Sequence, residues 1–227
     1  MVNKSPIILA VDTTEILQAK TWIAATRNSV SIYKIGLEFF LKFGLDGVNE
    51  LRNEFDFELF LDLKLHDIPN TVAGACGSIW RINPYFLTVH ASGGSKMVAA
   101  AVAALPNTKI TGVTILTSLD EADVKAIGFQ NLALESSIKL AKVAISGGAQ
   151  AIVCSPLEVA AIRSEVPKEI ALITPGVRPT GSVAGDQSRI MTPALAIANG
   201  ADYLVIGRPI TAATNPGEAA AAILASL

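Results

Sequence analysis

The chain has 227 residues, a size that suits two small domains or one α/β barrel of about 250 residues. Hydrophobic residues make up 51% of it and charged residues 17%, a globular balance that argues against disorder. The formal net charge of −2, with no Lys/Arg run, argues against nucleic acid or anionic lipid as a partner. Short runs rich in Val, Ile and Leu alternate with longer amphipathic segments. In chain order the strand candidates are PIILAVD (6–12), SIYKIG (31–36), ELFLDLK (58–64), YFLTVH (85–90), KITGVTIL (109–116), AQAIVC (149–154), IALIT (170–174) and DYLVIG (202–207). Helical stretches between them include 38–54, then 134–148, with an apolar face at 3.6-residue period and a Gly stop, and 192–200. The last begins with Thr192 as a suitable N-cap and Pro193 at the first helical position.

Eight strand-like runs separated by eight helical ones imply a parallel sheet, and near-continuous apolar strands imply that both faces are covered. The expected fold is α/β, a single (β/α)₈ TIM barrel with parallel strands forming one domain over residues 1–227, since no Pro/Gly linker divides it. An open doubly wound sheet is the alternative that the pattern leaves. Cys76 and Cys154 have neither disulfide-framework nor zinc-like spacing and read as small buried hydrophobes in a reducing compartment. The N-terminal MVNKSPIILAVDTTE, with one Lys and an apolar run cut by Asp12, does not read as a signal peptide, and no apolar stretch is long enough to span a bilayer. A soluble cytoplasmic protein is therefore expected.

Chemistry in such a barrel sits where strands end and βα loops begin. Strand one ends in Asp12, strand two carries Lys34, and strand three gives Asp62 and Lys64. Strand four ends in His90, strand five in Thr117 and Ser118, and strand eight in Gly207 and Arg208; after strand seven comes TPGVRP with Arg178. The four charged residues on strands one to three can form a catalytic array or a structural ion-pair layer capping the barrel. Asp62 and Lys64, two apart on a strand, leave the same face, whereas Asp67 falls on the loop beyond. Carboxylates around a lysine keep it protonated and fix its ammonium, which suits a general acid better than a Schiff-base nucleophile.

A second constellation is phosphate-like. The Gly/Ser-rich segment RPTGSVAGDQSR (178–189) follows strand seven and VIGRP (205–209) follows strand eight, the two places where barrels often hold phosphate. Arg178 and Arg208 offer cationic forks, Gly207 lets the backbone approach closely, and the segment has the make-up of a mobile lid. Arg189 reads as a solvated residue. His90 reads as a satisfied structural histidine and His66 as a residue that orients the loop bearing Asp67. No His/carboxylate cluster has metal-ligand spacing, and there is no GxGxxG after strand one and no Walker loop.

LFLDLKLHDIPNT (59–71) resembles the signature of the orotidine 5′-phosphate decarboxylases, D-x-K-x-x-D-I-x-x-T after the third strand of a (β/α)₈ barrel, matched here by Asp62, Lys64, Asp67, Ile68 and Thr71. The likeness extends to ILAVD at Asp12, YKIG at Lys34, TVHASGG at His90, LTS at Thr117, TPGVRP at Arg178, GDQSR at Gln187 and IGRPI at Arg208, and to the bacterial branch in length and spelling. The resemblance implies decarboxylation of orotidine 5′-phosphate with no cofactor or metal. It implies that Lys64 protonates C6 of the pyrimidine, that Asp62 sits beside the substrate carboxylate, and that Asp12 and Lys34 contact the ribose and complete the charged array. It further implies a homodimer in which Asp67, Ile68 and Thr71 reach the neighbouring subunit's site. Thr117, with Ser118, would lie against the base, Gln187 would reach phosphate and base, and Arg178, Gly207 and Arg208 would hold the phosphate. The rival readings are a Mg²⁺-dependent sugar-phosphate decarboxylase or hexulose-phosphate synthase sharing the DxKxxD motif, and an inactive phosphate-binding barrel. Those Mg²⁺ relatives follow the motif with small residues where this chain has Ile68-Pro69-Asn70-Thr71.

Overall fold

The computed structural model describes residues 5–179 and 191–227. Eight parallel strands close into a barrel in sequential order: β1 (Ile7–Ala10), β2 (Ile32–Gly36), β3 (Glu58–Leu65), β4 (Phe86–His90), β5 (Lys109–Val113), β6 (Ala151–Val153), β7 (Ala171–Thr174) and β8 (Tyr203–Ile206). Closure removes the open-sheet alternative. β1 bonds to both β2 and β8, with Ile8 opposite Ile32 on one side and Val205 on the other.

Period-two alternation sorts the strand residues into two cores. Ile8, Ile32, Phe60, Phe86, Ile173 and Val205 point inward and fill the barrel. Ile7, Leu9, Ile35, Leu61 and Leu204 point outward and pack under the helices. Both sets are buried, which is why the strands read as continuous apolar runs. Each such side chain contributes about 1.5–3 kcal/mol by leaving water.

The helices are α1 (Ile16–Thr26), α2 (Leu37–Glu54), α3 (Pro69–Ser78), α4 (Ser95–Ala104), α5 (Glu121–Ala126), α6 (Ala133–Ser146), α7 (Val159–Glu165), α8 (Pro193–Ala198), α9 (Arg208–Thr211) and α10 (Pro216–Ala225). Among the described residues, none is long and apolar enough to cross a membrane. Thr192 caps α8 as expected, accepting from the Leu195 N–H, with Pro193 opening the helix. α6 stops in a Schellman turn: Gly148, at φ +91°, donates to Ile145, and Ala149 donates to Ala144. Two features depart from the sequence expectation. The stretch 38–54 is broken at Gly44, whose φ of +59° and ψ of −154° are not helical. Among the described residues, two short helices, α5 and α9, follow β5 and β8 in addition to one helix after each strand; α5 closes on itself through a capping box between Asp120 and Asp123.

Candidate active site

Because all eight strands run the same way, their C-terminal ends open at one rim. A cavity of about 530 Å³ lies there, lined by Asp12 just past β1, by Lys34 from β2, by Asp62 and Lys64 from β3, and by residues of the loops after β5, β7 and β8. The in-register trio Ala10, Lys34 and Phe60 lines its inner end, one layer above Ile8 and Ile32. Position 34 is therefore an inward-facing core position that carries a charge.

Lys34 and Asp62 are each only 8% exposed, so both must be paired to be tolerated as ions. Lys34 Nζ lies 3.1 Å from Asp12 Oδ1 and 3.3 Å from Asp62 Oδ2. Lys64 Nζ donates to both oxygens of Asp62 at 2.9 Å. The result is a continuous row of alternating sign, Asp12, Lys34, Asp62 and Lys64. Burial alone would pull the Lys34 ammonium down, but the Asp62 and Asp12 carboxylates overcome this and hold it above its ordinary 10.5. Burial likewise pushes the Asp62 carboxyl up, and Lys34 and Lys64, with hydrogen bonds from Lys64 and Thr88, bring it below its ordinary 3.8.

Across the mouth, four strands from β3 in the closed order, β7 leads into Pro175, Gly176 and Arg178. Gly176 holds φ at +76°, and the Arg178 N–H donates to Met191 O at 2.9 Å, closing the two ends of the βα segment together. The Arg178 guanidinium is buried and donates to the Val177 carbonyl at 2.9 Å. Burial, and then the nearby Arg208 guanidinium, pull its pKa below the ordinary value. Two guanidiniums lining one cavity raise each other's energy and make a site for an anion.

The model of the orotidine 5′-phosphate decarboxylase / HUMPS family matches residues 5–223. The chain belongs to that family. An orotidine 5′-phosphate decarboxylase of Thermobifida fusca (strain YX) is 52% identical, over 98% of this chain and 96% of the relative. One from Paramagnetospirillum magneticum is 45% identical over 100% of this chain and 99% of its own. A crystal structure of the orotidine 5′-phosphate decarboxylase from Lactobacillus acidophilus superposes with a TM-score of 0.86 at 32% identity, covering 98% of this chain and 99% of the other.

The residues that the family signature singles out separate into two groups in this chain. Asp12, Lys34, Asp62, Lys64, Thr117, Ser118, Arg178, Gly207 and Arg208 all line the cavity. Asp67, Ile68 and Thr71 do not: they are exposed at the start of α3, and Asp67 Oδ1 accepts the Ile68 N–H at 2.6 Å. Within one chain, Asp62 is the carboxylate that pairs with Lys64. Gln187 and Arg189 lie outside the described residues. Gly207 is not forced to be glycine by crowding, since a Cβ there would meet only Ala10 at an ordinary 3.6 Å. The His66 and His90 rings lie with centroids 5.4 Å apart, tilted by 40°; burial, His66 and Lys64 lower the His90 pKa against the opposing pull of Asp62. Among the described residues, no group of three or more His, Cys, Asp and Glu is placed to hold a metal ion.

Two residues of the site went unread in the sequence. Gly36 ends β2 beside the array, and a Cβ there would meet Asp12 Oδ1 at 2.8 Å and Lys34 Nζ at 3.1 Å. Thr88, fully buried in β4, donates from Oγ1 to Asp62 Oδ1 at 2.9 Å and accepts the Lys64 N–H at 2.8 Å. Its signal was present in period two: Phe86 points inward, so Thr88, two residues on, is a polar side chain on the inner face of β4.

Proposed function

We propose that the protein decarboxylates orotidine 5′-phosphate to uridine 5′-phosphate, the last step of de novo pyrimidine synthesis, without a cofactor. The observation that carries this reading is the alternating row Asp12–Lys34–Asp62–Lys64 on one side of a cavity whose other side bears Arg178 and Arg208. A phosphate on the arginine side would direct the base toward the row. Thr117 and Ser118 would lie against the pyrimidine, Gly207 would contact the phosphate, and Gln187 would bridge phosphate and base.

In the proposed reaction the bond between C6 and the carboxylate carbon breaks heterolytically and carbon dioxide leaves. The electron pair stays on C6, and a proton passes from Lys64 Nζ to that carbon; the neutral amine then regains a proton from solvent. A fixed ammonium beside the developing carbanion stabilises it more than it stabilises the ground state, which is the requirement for raising kcat. Asp62, held ionised by its two lysines, would repel the substrate carboxylate until that group departs. Energy from the remote phosphate would offset this repulsion.

Asp67, Ile68 and Thr71 are assigned to the neighbouring subunit's site in a homodimer, each chain folding as one catalytic domain over 1–227. Supporting this are the exposure of all three and the apolar character of Ile68, which is 65% exposed. Free, buried thiols at Cys76 and Cys154 suit a cytoplasmic, reducing compartment; burial pushes the Cys76 thiol up to about 11. The test is to add orotidine 5′-phosphate to the purified protein in EDTA and follow the orotate absorbance. The expected result is loss of the chromophore by wild type and not by Lys64→Ala. No turnover by wild type would sink the reading.

A further inference from the structure

We propose that Thr88 is a positioning residue of this site: its single hydroxyl fixes a left-handed bend in the backbone at Lys64 and, through Asp62, the line of the Lys64 ammonium. This rests on the decarboxylase reading above.

The ladder between β3 and β4 slips within the site. Leu61 lies opposite Leu87 and Leu65 opposite Val89, so Asp62, Leu63 and Lys64 together face Thr88 alone. Such a bulge removes backbone groups from ladder pairing and redirects the side chains it carries. Lys64 sits at φ +48°, a region that residues with a Cβ seldom occupy and that persists only where surrounding contacts enforce it. Here the enforcing contact comes from another strand. The Lys64 N–H donates to Thr88 Oγ1 at 2.8 Å, and the hydroxyl hydrogen of Thr88 goes on to Asp62 Oδ1 at 2.9 Å. One hydroxyl can serve both, since it has one hydrogen to give and lone pairs to accept with.

These bonds close a ring. From the Lys64 amide the path runs to Thr88, to the Asp62 carboxylate, to the Lys64 ammonium at 2.9 Å, and back along the Lys64 side chain. Backbone and ammonium of the same residue are thus referenced to one fixed oxygen. Thr88 is 0% exposed, so bulk water has no ready path to take over its role. A β-branched side chain also has few χ1 choices on a strand, which keeps the hydroxyl aimed.

Without the hydroxyl, Lys64 loses the acceptor that holds its bend and Asp62 loses a donor. The phosphate and ribose contacts are made by other residues and stay. Asp62 is faced by Lys34 from β2, Lys64 from its own strand, Thr88 and His90 from β4, and Asp12 beyond Lys34. Of these, Thr88 is the neutral donor, so removing it weakens the carboxylate form without changing the net charge.

The experiment compares wild type, Thr88→Val and Thr88→Ser with orotidine 5′-phosphate in EDTA. Thr88→Val should lose roughly 10- to 100-fold in kcat, as small misplacements of a reacting group do. Its KM should stay within about threefold, and the acid limb of kcat should move to higher pH. Thr88→Ser should restore both. A Thr88→Val enzyme with wild-type kcat and acid limb, or a Thr88→Ser enzyme as impaired as the valine variant, would overturn the inference. Thr88→Ala carries the same expectations if the valine protein does not fold. A crystal structure of the hydroxyl-less variant decides independently of turnover: Lys64 should leave positive φ, and an unchanged bend with Asp62 in place would refute the role. An inactive wild type would instead defeat the decarboxylase reading.

Discussion

Lys64 Nζ lies 2.9 Å from each carboxylate oxygen of Asp62, on a strand that is bulged at that point. The pair is held between a second lysine and a threonine on the neighbouring strands, so its geometry is set before any substrate arrives.

Removing Lys34 should test how far the row depends on its buried member. Lys34→Met leaves Asp62 with Lys64 and Thr88 but strips one buried counter-charge. The expected loss is about 1–3 kcal/mol of unfolding free energy, measured by urea denaturation without ligand. An unchanged midpoint would mean that the row is not strongly coupled in the fold.

The pH dependence of stability follows from two opposite shifts. The Asp62 carboxyl is held below 3.8, so its contribution is present above that value and is lost as pH falls through the lower folded pKa. Lys34 is held above 10.5, so its contribution is present below that value and is lost as pH rises through the higher folded pKa. Denaturation midpoints of wild type should therefore be flat with respect to this pair between those limits. Lys34→Met should remove the alkaline part of the loss attributable to Lys34; an identical alkaline profile in the variant would contradict the assignment.

Gly36 should resist even the smallest side chain. Its φ of −94° and ψ of −175° are open to alanine, so the backbone is no obstacle. The added Cβ would instead press on the Asp12–Lys34 ion pair. Gly36→Ala should lower kcat/KM by about tenfold or more, with a thermal midpoint close to wild type. Full activity would show that the pair moves aside without consequence.

Arg178 is expected to contribute as an anchor for phosphate. Arg178→Ala should reduce kcat/KM by roughly 10- to 150-fold, the range for losing a hydrogen bond to a charged group. Arg178→Lys should recover only part of it, because an ammonium lacks the planar fork. Equal activity of the lysine variant and wild type would argue for simple charge attraction.

Subunit sharing can be read by complementation. If each site takes Lys64 from one chain and Asp67 from the other, Lys64→Ala and Asp67→Ala proteins should both be inactive alone. Unfolded together and refolded as an equal mixture, they should recover about a quarter of wild-type activity, since half the dimers carry one intact site. No recovery in a mixture shown to contain mixed dimers would place Asp67 in its own chain's site.

Much of this architecture is legible in the sequence because a closed parallel barrel buries both faces of every strand. Runs such as PIILAVD and DYLVIG announce themselves, and the charged residues at their ends then fall at one rim. What eludes a linear reading is set by contacts between strands. Period two places Asp62 and Lys64 on one face, and they do meet, but through a bulge with Lys64 at φ +48° rather than along a regular pleat. The determinant of that bend is Thr88, twenty-four residues away in the chain. The break at Gly44 was hidden for a different reason: the apolar spacing of 38–54 continues across a residue whose conformation the spacing does not encode.

Proton delivery to C6 by Lys64 is tested most directly by turnover in D₂O. Wild-type protein treated with EDTA should release carbon dioxide from orotidine 5′-phosphate and yield uridine 5′-phosphate carrying one solvent deuterium at C6, while Lys64→Ala should yield no product. Turnover that requires a divalent metal, or a Lys64→Ala enzyme that forms the deuterated product as fast as wild type, would contradict the account.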